Sequence, residues 1–196
     1  RTTTVDTTAP SISSESLTPV IVGQSASVGI TIGSVDFGTG TTSASITVFT
    51  LSGTPIASTL SLTNVETVDG LHFGDWRGTF NFPTQATAPD GEYRFVVTAF
   101  DGAGNRKDEQ VGTVTLDRTN PATSIVSIVP AIAKPGTQIT VIATAQDITT
   151  AIASMTERDV TLGESPFPMI QTGGSTAAGQ TSTWTRNFSA QLPESA

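Results

Sequence analysis

The stretch Pro89–Asn105, PDGEYRFVVTAFDGAGN, decides the fold of this chain. Its middle part alternates polar and apolar residues, which is the pattern of a half-buried β-strand. One face of that strand carries Tyr93, Phe95, Val97 and Ala99. A PDG turn precedes the strand, and the DGAGN loop (101–105) follows it. The pattern therefore predicts a strand over 91–101 and, after the loop, a last strand over 108–116.

The two glycines of the DGAGN loop raise the question of a binding site. A phosphate cradle needs its glycines between a strand and the N-terminus of a helix, whose N–H groups face the anion. Here the loop lies between two predicted strands, and its first residue, Asp101, would repel phosphate. A calcium loop and a simple turn with positive φ at glycine remain as alternatives.

The composition excludes several classes of protein. Hydrophobic residues make up 36% of the 196 residues, which is enough for a buried core, and the abundance of Thr, Ser, Gly and Val favours strands over helices. The net charge is −8 and the nine basic residues are scattered, so no basic face for nucleic acid is visible. No apolar run approaches the roughly 20 residues of a membrane span. There is no cysteine, which excludes disulfides and thiolate chemistry.

An internal repeat organises the chain. Three anchors recur 111 residues later: Asp6, Pro10 and Pro19 return as Asp117, Pro121 and Pro130. Farther on, WRGTFNFP from Trp76 matches WTRNFSAQLP from Trp184. We conclude that two copies of one module are present. In the first copy the alternation predicts about seven strands, over 10–22 (broken at Pro19), 25–33, 43–50, 54–61, 75–83, 91–101 and 108–116.

Three segments together carry a family resemblance: VDTTAP from Val5, PDGEYRFVVTAFDGAGN from Pro89 and VGTVTLDRTNP from Val111. The combination resembles the bacterial and archaeal Ig-like (Big-type) repeats of extracellular surface proteins, over nearly the whole chain. The resemblance implies an all-β fold of tandem Ig-like antiparallel β-sandwiches, with a tyrosine corner at the start of the penultimate strand. We expect the core of the first module to contain Trp76, Phe80, Tyr93 and Phe95.

The repeat sets the predicted domain boundaries. Residues 1–5 are expected to be the tail of a preceding module or a linker, 6–117 the first Ig-like module, and 118–196 the second. The second copy stops where the first is about to begin PDGEYRF, so we expect it to be C-terminally incomplete and to lack its last two strands. Either the polypeptide continues, or another chain completes the sandwich by strand addition.

Divalent-cation binding is the chemical hypothesis that a geometric argument favours. In an Ig-like sandwich, the linker before the first strand, the loop after the second strand and the loop before the last strand meet at one end. That end collects Asp6, Asp36, Asp101 and Asn105. The corresponding set for the second module is Asp117 and Asp147, joined by Asp90 and Glu92 from the far end of the first. Because Ca²⁺ prefers hard oxygen ligands, these residues make calcium at the module junctions a hypothesis, and no cofactor is expected to be required. The alternative is that these side chains cap turns.

No pattern for catalysis emerges. His72 is the sole histidine and lacks partners at the spacing of a triad or a zinc site, and no serine lies in GxSxG or SxxK. We therefore predict a non-enzymatic, structural or adhesive module array of a prokaryotic cell-surface or secreted protein, such as a spacer, a surface-layer segment or an adhesin. Its expected partners are neighbouring Ig-like modules, other copies, or a surface glycan or protein ligand. The alternatives are an accessory module of an extracellular polysaccharide- or protein-degrading enzyme, and a pilus or phage subunit completed by strand donation.

Overall fold

The computed structural model describes residues 5–23, 26–68, 73–158 and 166–189. Within these ranges the chain is all-β, as predicted, with no helix, and hence none long and apolar enough to cross a membrane. His72 and the predicted N-terminal tail, apart from Val5, lie outside the described residues. The backbone divides into two compact units, Arg1–Arg118 (unit 1) and Thr119–Ala196 (unit 2).

Unit 1 contains two sheets that share one core. The first sheet has the strand order β1-β3-β7-β6 and consists of β1 (Ser11–Thr18), β3 (Ser27–Val35), β7 (Phe73–Asn81) and β6 (Thr63–Val68). The second sheet has the order β2-β9-β8-β4-β5 and consists of β2 (Ile21–Val22), β9 (Arg106–Leu116), β8 (Gly91–Asp101), β4 (Thr41–Thr50) and β5 (Leu60–Ser61). Neighbouring strands are antiparallel, except that β2 runs parallel to β9. This arrangement fits a β-sandwich.

The core of unit 1 forms where the two sheets turn their apolar faces toward each other. The alternation in β8 places Tyr93 and Phe95 inside, and Phe95 is fully buried. Its ring contacts Phe80 and Phe82 edge to face, with centroids 5.6 and 6.2 Å apart. Edge-to-face geometry brings the positive edge of one ring to the negative face of another, which stabilises the cluster beyond the area that it buries. All four predicted core residues are buried, so this prediction is confirmed.

One polar contact lies inside this apolar core. The indole N–H of Trp76 in β7 donates a buried hydrogen bond to the Ser34 hydroxyl, with N···O at 2.9 Å. Ser34 comes from β3 and lies opposite Gly74 in the β3–β7 ladder. A buried donor without a partner costs about 1–3 kcal/mol of folding free energy. Ser34 removes this cost, so the whole tryptophan ring can be buried.

The sequence prediction was wrong over 54–61. Only Leu60–Ser61 form a strand there, and Pro55 makes an isolated bridge to Phe49. Proline has no N–H for a ladder, so a continuous strand cannot pass through it. The strand β6 was missed because its described side chains are exposed and show no alternation.

Unit 2 contains a four-stranded antiparallel sheet of the order β10-β11-β15-β14. Its strands are β10 (Ala122–Val129), β11 (Gln138–Gln146), β15 (Thr181–Ser189) and β14 (Ile170–Gly174). A separate two-stranded ribbon pairs β12 (Thr156–Glu157) with β13 (Phe167–Pro168). The order repeats that of the first sheet of unit 1, strand for strand. No counterpart of β8 or β9 occurs among the described residues of unit 2.

The core of unit 2 is smaller than that of unit 1. Its buried apolar residues are Val141, Ala143, Ala145, Ile152, Met169 and Trp184. Arg186 joins the ribbon to the sheet, because its guanidinium pairs with Glu157 and lies over the ring of Phe167, 4.1 Å from the centroid. Apolar side chains of β10 remain exposed, among them Ile125, Val126, Ile128 and Val129.

Candidate cation-binding site

Three aspartates that are far apart in the sequence meet at one end of unit 1. Asp6 precedes β1, Asp36 follows β3, and Asp101 is the last residue of β8. Each offers a carboxylate oxygen, and these oxygens all lie within 4.8 Å of one another. Asp36 and Asp101 are each only 4% exposed, whereas Asp6 is partly exposed. We refer to Asp6, Asp36 and Asp101 as the aspartate cluster.

Asp101 is fixed by the DGAGN loop that it opens. Its Oδ1 accepts hydrogen bonds from the backbone N–H groups of Ala103 and Asn105, at 2.9 and 2.7 Å. Gly104 adopts φ +90°, which a residue with a Cβ rarely tolerates, so this glycine is needed for the loop to close. The loop therefore orients the Asp101 carboxylate and keeps it at the end of β8.

Asn105 braces the cluster with its amide nitrogen. Nδ2 donates to Asp101 Oδ2 at 2.7 Å and to the backbone oxygen of Asp6 at 3.2 Å. In this orientation the side chain presents a donor, not an oxygen ligand, to Asp101. Asn105 was predicted as a ligand; its contacts are those of a residue that ties the N-terminal segment to the β8–β9 loop.

Asp6 is held by residues that the sequence reasoning did not single out. Its carboxylate accepts hydrogen bonds from the Thr8 N–H and from both the N–H and the hydroxyl of Thr39. The Thr8 N–H and the Thr39 hydroxyl lower the pKa of the Asp6 carboxyl below its ordinary value of 3.8. Gly38 packs so close that an added Cβ would lie 2.1 Å from Asp6 Oδ2. The glycines around Thr39 indicate a turn in the sequence, but nothing there reveals that Asp6 packs against it.

Asp36 differs from the other two members of the cluster. Its Oδ1 accepts a hydrogen bond from the Gly38 N–H at 3.1 Å. Its Oδ2 is buried and accepts no hydrogen bond from any described residue. Nor does any salt bridge among the described residues reach the aspartate cluster. A groove of about 320 Å³, lined in part by Asp6, Asp36 and Phe37, adjoins it.

The remaining predicted ligands lie elsewhere. Asp90 directly precedes β8 and Asp101 ends it, so the two are roughly 36 Å apart along an extended strand. Asp90 accepts a hydrogen bond from the Arg118 N–H at 3.0 Å, and Asp117 donates its own N–H to the Val22 oxygen. In unit 2, Asp147 Oδ1 caps a turn by accepting from the N–H groups of Thr149 and Thr150. These contacts are those of turn and strand ends. No further group of three potential ligands occurs among the described residues.

Arg118 was expected to begin the second module, but its contacts belong to unit 1. Its guanidinium donates to the backbone oxygens of Ala88 and Pro83. With the N–H bond to Asp90, it fixes the end of unit 1 against the loop before β8.

Comparison with known proteins identifies no family. No protein-family model matches the chain, and no curated protein matches it. Among solved structures, it is similar to a DUF4785 family protein from Legionella pneumophila subsp. pneumophila strain Philadelphia 1, with a TM-score of 0.36 and 12% sequence identity. The match covers 90% of this chain and 44% of that one, so the chain spans less than half of that protein. A likeness this weak carries no argument about function.

Proposed function

We propose that the chain is a pair of Ig-like modules from a structural or adhesive array of a prokaryotic cell-surface or secreted protein. The strand order of unit 1 supports the Ig-like assignment. Seven strands named A to G along the chain would be β1, β3, β4, β6, β7, β8 and β9. In that naming the sheets read A-B-E-D and G-F-C, which is the order of an Ig-like sandwich.

A hydrogen bond at the start of β8 supports the same assignment. The Tyr93 hydroxyl donates to the backbone oxygen of Pro89, four residues upstream. Ig-like domains place such a tyrosine corner near the start of strand F. The repeated strand order of β10, β11, β15 and β14 extends the proposal to unit 2.

The parallel pairing of β2 with β9 supports a tension-bearing role for unit 1. One strand lies near the start of unit 1 and the other at its end. Thr115 and Asp117 donate their N–H groups to the Val20 and Val22 oxygens, at 2.9 and 2.8 Å. A pull on the two ends of the unit draws these parallel strands past each other, so the bonds are loaded together. A module that resists tension suits a spacer or an adhesin stalk.

Force spectroscopy in two pulling geometries tests this role. The chain has no cysteine, so introduced cysteines give unique attachment points. Cysteines at Thr7 and Thr119 load the β2–β9 pair in shear, whereas cysteines at Gln85 and Thr119 unzip the β8–β9 hairpin one bond at a time. We expect a clearly higher rupture force for the first pair, at equal chemical stability. Equal forces, or a lower force in the first geometry, would rule out a tension-bearing β2–β9 pair.

A specific observation also favours the strand-donation alternative. In unit 1, β9 covers Leu17 of β1: a Cβ on Gly112 would lie 3.0 Å from Leu17 Cδ1, and Leu17 is 9% exposed. Its repeat counterpart, Ile128 of β10, is 47% exposed. A β-segment equivalent to β8–β9 would cover this residue, whichever chain supplies it.

Assembly measurements distinguish the two proposals. If unit 2 accepts a donated strand, the chain forms ordered filaments visible by electron microscopy, and Ile128→Glu abolishes them. A chain that sediments as a monomer and unfolds cooperatively in both units removes the strand-donation proposal and leaves the module array standing.

A further inference from the structure

We propose that the aspartate cluster of unit 1 is a binding site for one Ca²⁺ ion. The distances fit such an ion. Ca²⁺–oxygen bonds are about 2.3–2.6 Å long, so two ligand oxygens on opposite sides of one ion lie up to about 5 Å apart. The carboxylate oxygens of Asp6, Asp36 and Asp101 all fall within 4.8 Å of one another. An ion at their centre would lie at most about 2.8 Å from each oxygen, so a small inward movement of the side chains completes the contacts.

The buried Asp36 oxygen is a second and separate observation. Turn capping accounts for Oδ1 of Asp36, which binds the Gly38 N–H, but it does not account for Oδ2. A buried carboxylate oxygen without a donor has lost its hydrogen bonds to water and forms none within the protein to replace them. The Asp36 carboxylate also lies beside two further carboxylates, with no cationic side chain paired to them among the described residues. A bound cation supplies both the missing partner and the missing positive charge.

The donor set selects the kind of ion. All three side chains offer oxygen, and the cluster includes no histidine or cysteine, so a soft or borderline metal such as Zn²⁺ is disfavoured. Ca²⁺ takes six to eight oxygens in flexible geometry and accepts both monodentate and bidentate carboxylates. The adjoining groove gives room for water ligands on the Asp6 and Asp36 side. Mg²⁺ is usually held by one or two carboxylates and keeps several waters, so a set of three carboxylates favours Ca²⁺.

The ion would join three segments of unit 1 that no salt bridge among the described residues connects. These are the N-terminal segment at Asp6, the β3–β4 loop at Asp36 and the end of β8 at Asp101. Ca²⁺ would thus fix the entry of the chain into unit 1 and make its stability depend on the cation. This inference stands whether or not unit 1 carries tension.

The repeat provides a matched pair of variants for the test. Asp36→Asn keeps an oxygen for the Gly38 N–H but removes the charge of the buried carboxylate. Asp147→Asn changes the repeat counterpart, also buried and also capping a turn, that belongs to no triad of ligands among the described residues. Both substitutions are made in the full chain. Because Trp76 and Trp184 are its two tryptophans, Trp184→Phe lets Trp76 fluorescence report unit 1 alone.

The protein is stripped with EDTA, exchanged into chelator-treated buffer and titrated with CaCl2 by calorimetry and by thermal unfolding. We expect one Ca²⁺ per chain and a rise of about 5 °C or more in the melting temperature of unit 1 at saturating Ca²⁺. Asp36→Asn should weaken Ca²⁺ binding by about tenfold or more and abolish the rise. Without metal, its melting temperature should equal or exceed that of the parent, because one like charge has been removed. Asp147→Asn should retain both the binding and the rise.

Three results would overturn the proposal. One is no heat of binding and no change of melting temperature with Ca²⁺. Another is Ca²⁺ binding that Asp36→Asn leaves intact. The third is binding of MgCl2 as tight as that of CaCl2, which would overturn the identity of the ion. If Asp36→Asn fails to fold, Asp6→Asn serves in its place, since Asp6 is partly exposed.

Discussion

Each unit buries a tryptophan and provides a serine hydroxyl for its indole N–H, but the serine comes from a different strand in each unit. In unit 1 the buried indole of Trp76 donates to Ser34, which the neighbouring strand supplies opposite Gly74. In unit 2 the indole of Trp184 donates to Ser182 in its own strand, at 2.7 Å, and the cross-strand neighbour is an alanine. Serine and the smaller residue have exchanged strands between the units. In both units a serine hydroxyl accepts the indole hydrogen bond, although a different strand supplies it.

The units also differ in what packs against the four-stranded sheet that both contain. The second sheet of unit 1 buries Leu17 and completes a large aromatic core. Among the described residues of unit 2 there is no such sheet, and apolar side chains of β10 stay exposed. The same difference separates Asp36 from Asp147. Both cap the turn after the second strand of their sheet, but only Asp36 meets the end of a β8 strand, where Asp101 lies.

The largest expected effect comes from the aromatic cluster around Phe95, which has no counterpart in the described core of unit 2. Phe95→Ala should destabilise unit 1 by about 3–5 kcal/mol, because it leaves a cavity between Phe80 and Phe82. Urea unfolding followed by Trp76 fluorescence, in the Trp184→Phe background, measures this. Phe100→Ala, at the partly exposed opposite face of the same strand, is the control and should cost less than about 1 kcal/mol. Equal losses in the two variants would contradict the described core.

Moving the serine of unit 1 from position 34 to position 74 tests whether the two arrangements are equivalent. Ser34→Ala should cost about 1–3 kcal/mol, because it leaves the Trp76 N–H buried without its acceptor. Gly74→Ser alone should be strained, since its Cβ would lie 3.2 Å from Ser34 Oγ and 2.8 Å from Trp76 Nε1, which Ser34 holds in place. Together the two substitutions recreate the pair of Ala145 and Ser182, and the double variant should recover most of the loss.

A double-mutant cycle in urea measures the coupling between positions 34 and 74. Ser11→Ala, which removes an exposed hydroxyl bonded to the Val35 oxygen, serves as the control and should change stability little. Additive losses at positions 34 and 74 would show that the two units do not share this requirement.

The smallest effect concerns the hydrogen bond from the Tyr93 hydroxyl to the Pro89 oxygen, which has no counterpart among the described residues of unit 2. Tyr93→Phe removes the hydrogen bond to the exposed Pro89 and should cost unit 1 about 1 kcal/mol. Burial raises the pKa of the Tyr93 hydroxyl above 10.0. The stability that this shift contributes is fully present below pH 10.0 and is lost as the pH rises through the raised pKa.

Urea unfolding at pH 9, 10 and 11 therefore should show unit 1 weakening with pH more steeply in the parent than in Tyr93→Phe. Parallel pH profiles for the two proteins would contradict the buried hydroxyl.

Much of unit 1 was predictable because its signals are local. Alternation in β3, β7 and β8 marks strands whose one face is buried, and the predicted core aromatics are buried. The meeting of Asp6, Asp36 and Asp101 was expected from the Ig-like topology that the sequence resemblance implied. The role of Thr39 did not, because its bonds to Asp6 and Ala103 connect segments far apart in the sequence. Strand β6 was not predicted because an exposed edge strand needs no apolar alternation.

The order of amino acids was enough to predict that this chain is all-β and which side chains face the core of unit 1. Those properties depend on side-chain chemistry and on alternation with a period of two residues, and both can be read from the sequence. Only the tertiary structure decided which hydroxyl satisfies each buried indole and that Asp36 keeps one buried oxygen without a donor. Such facts depend on distances of a few ångströms between strands that pack together only when the chain has folded.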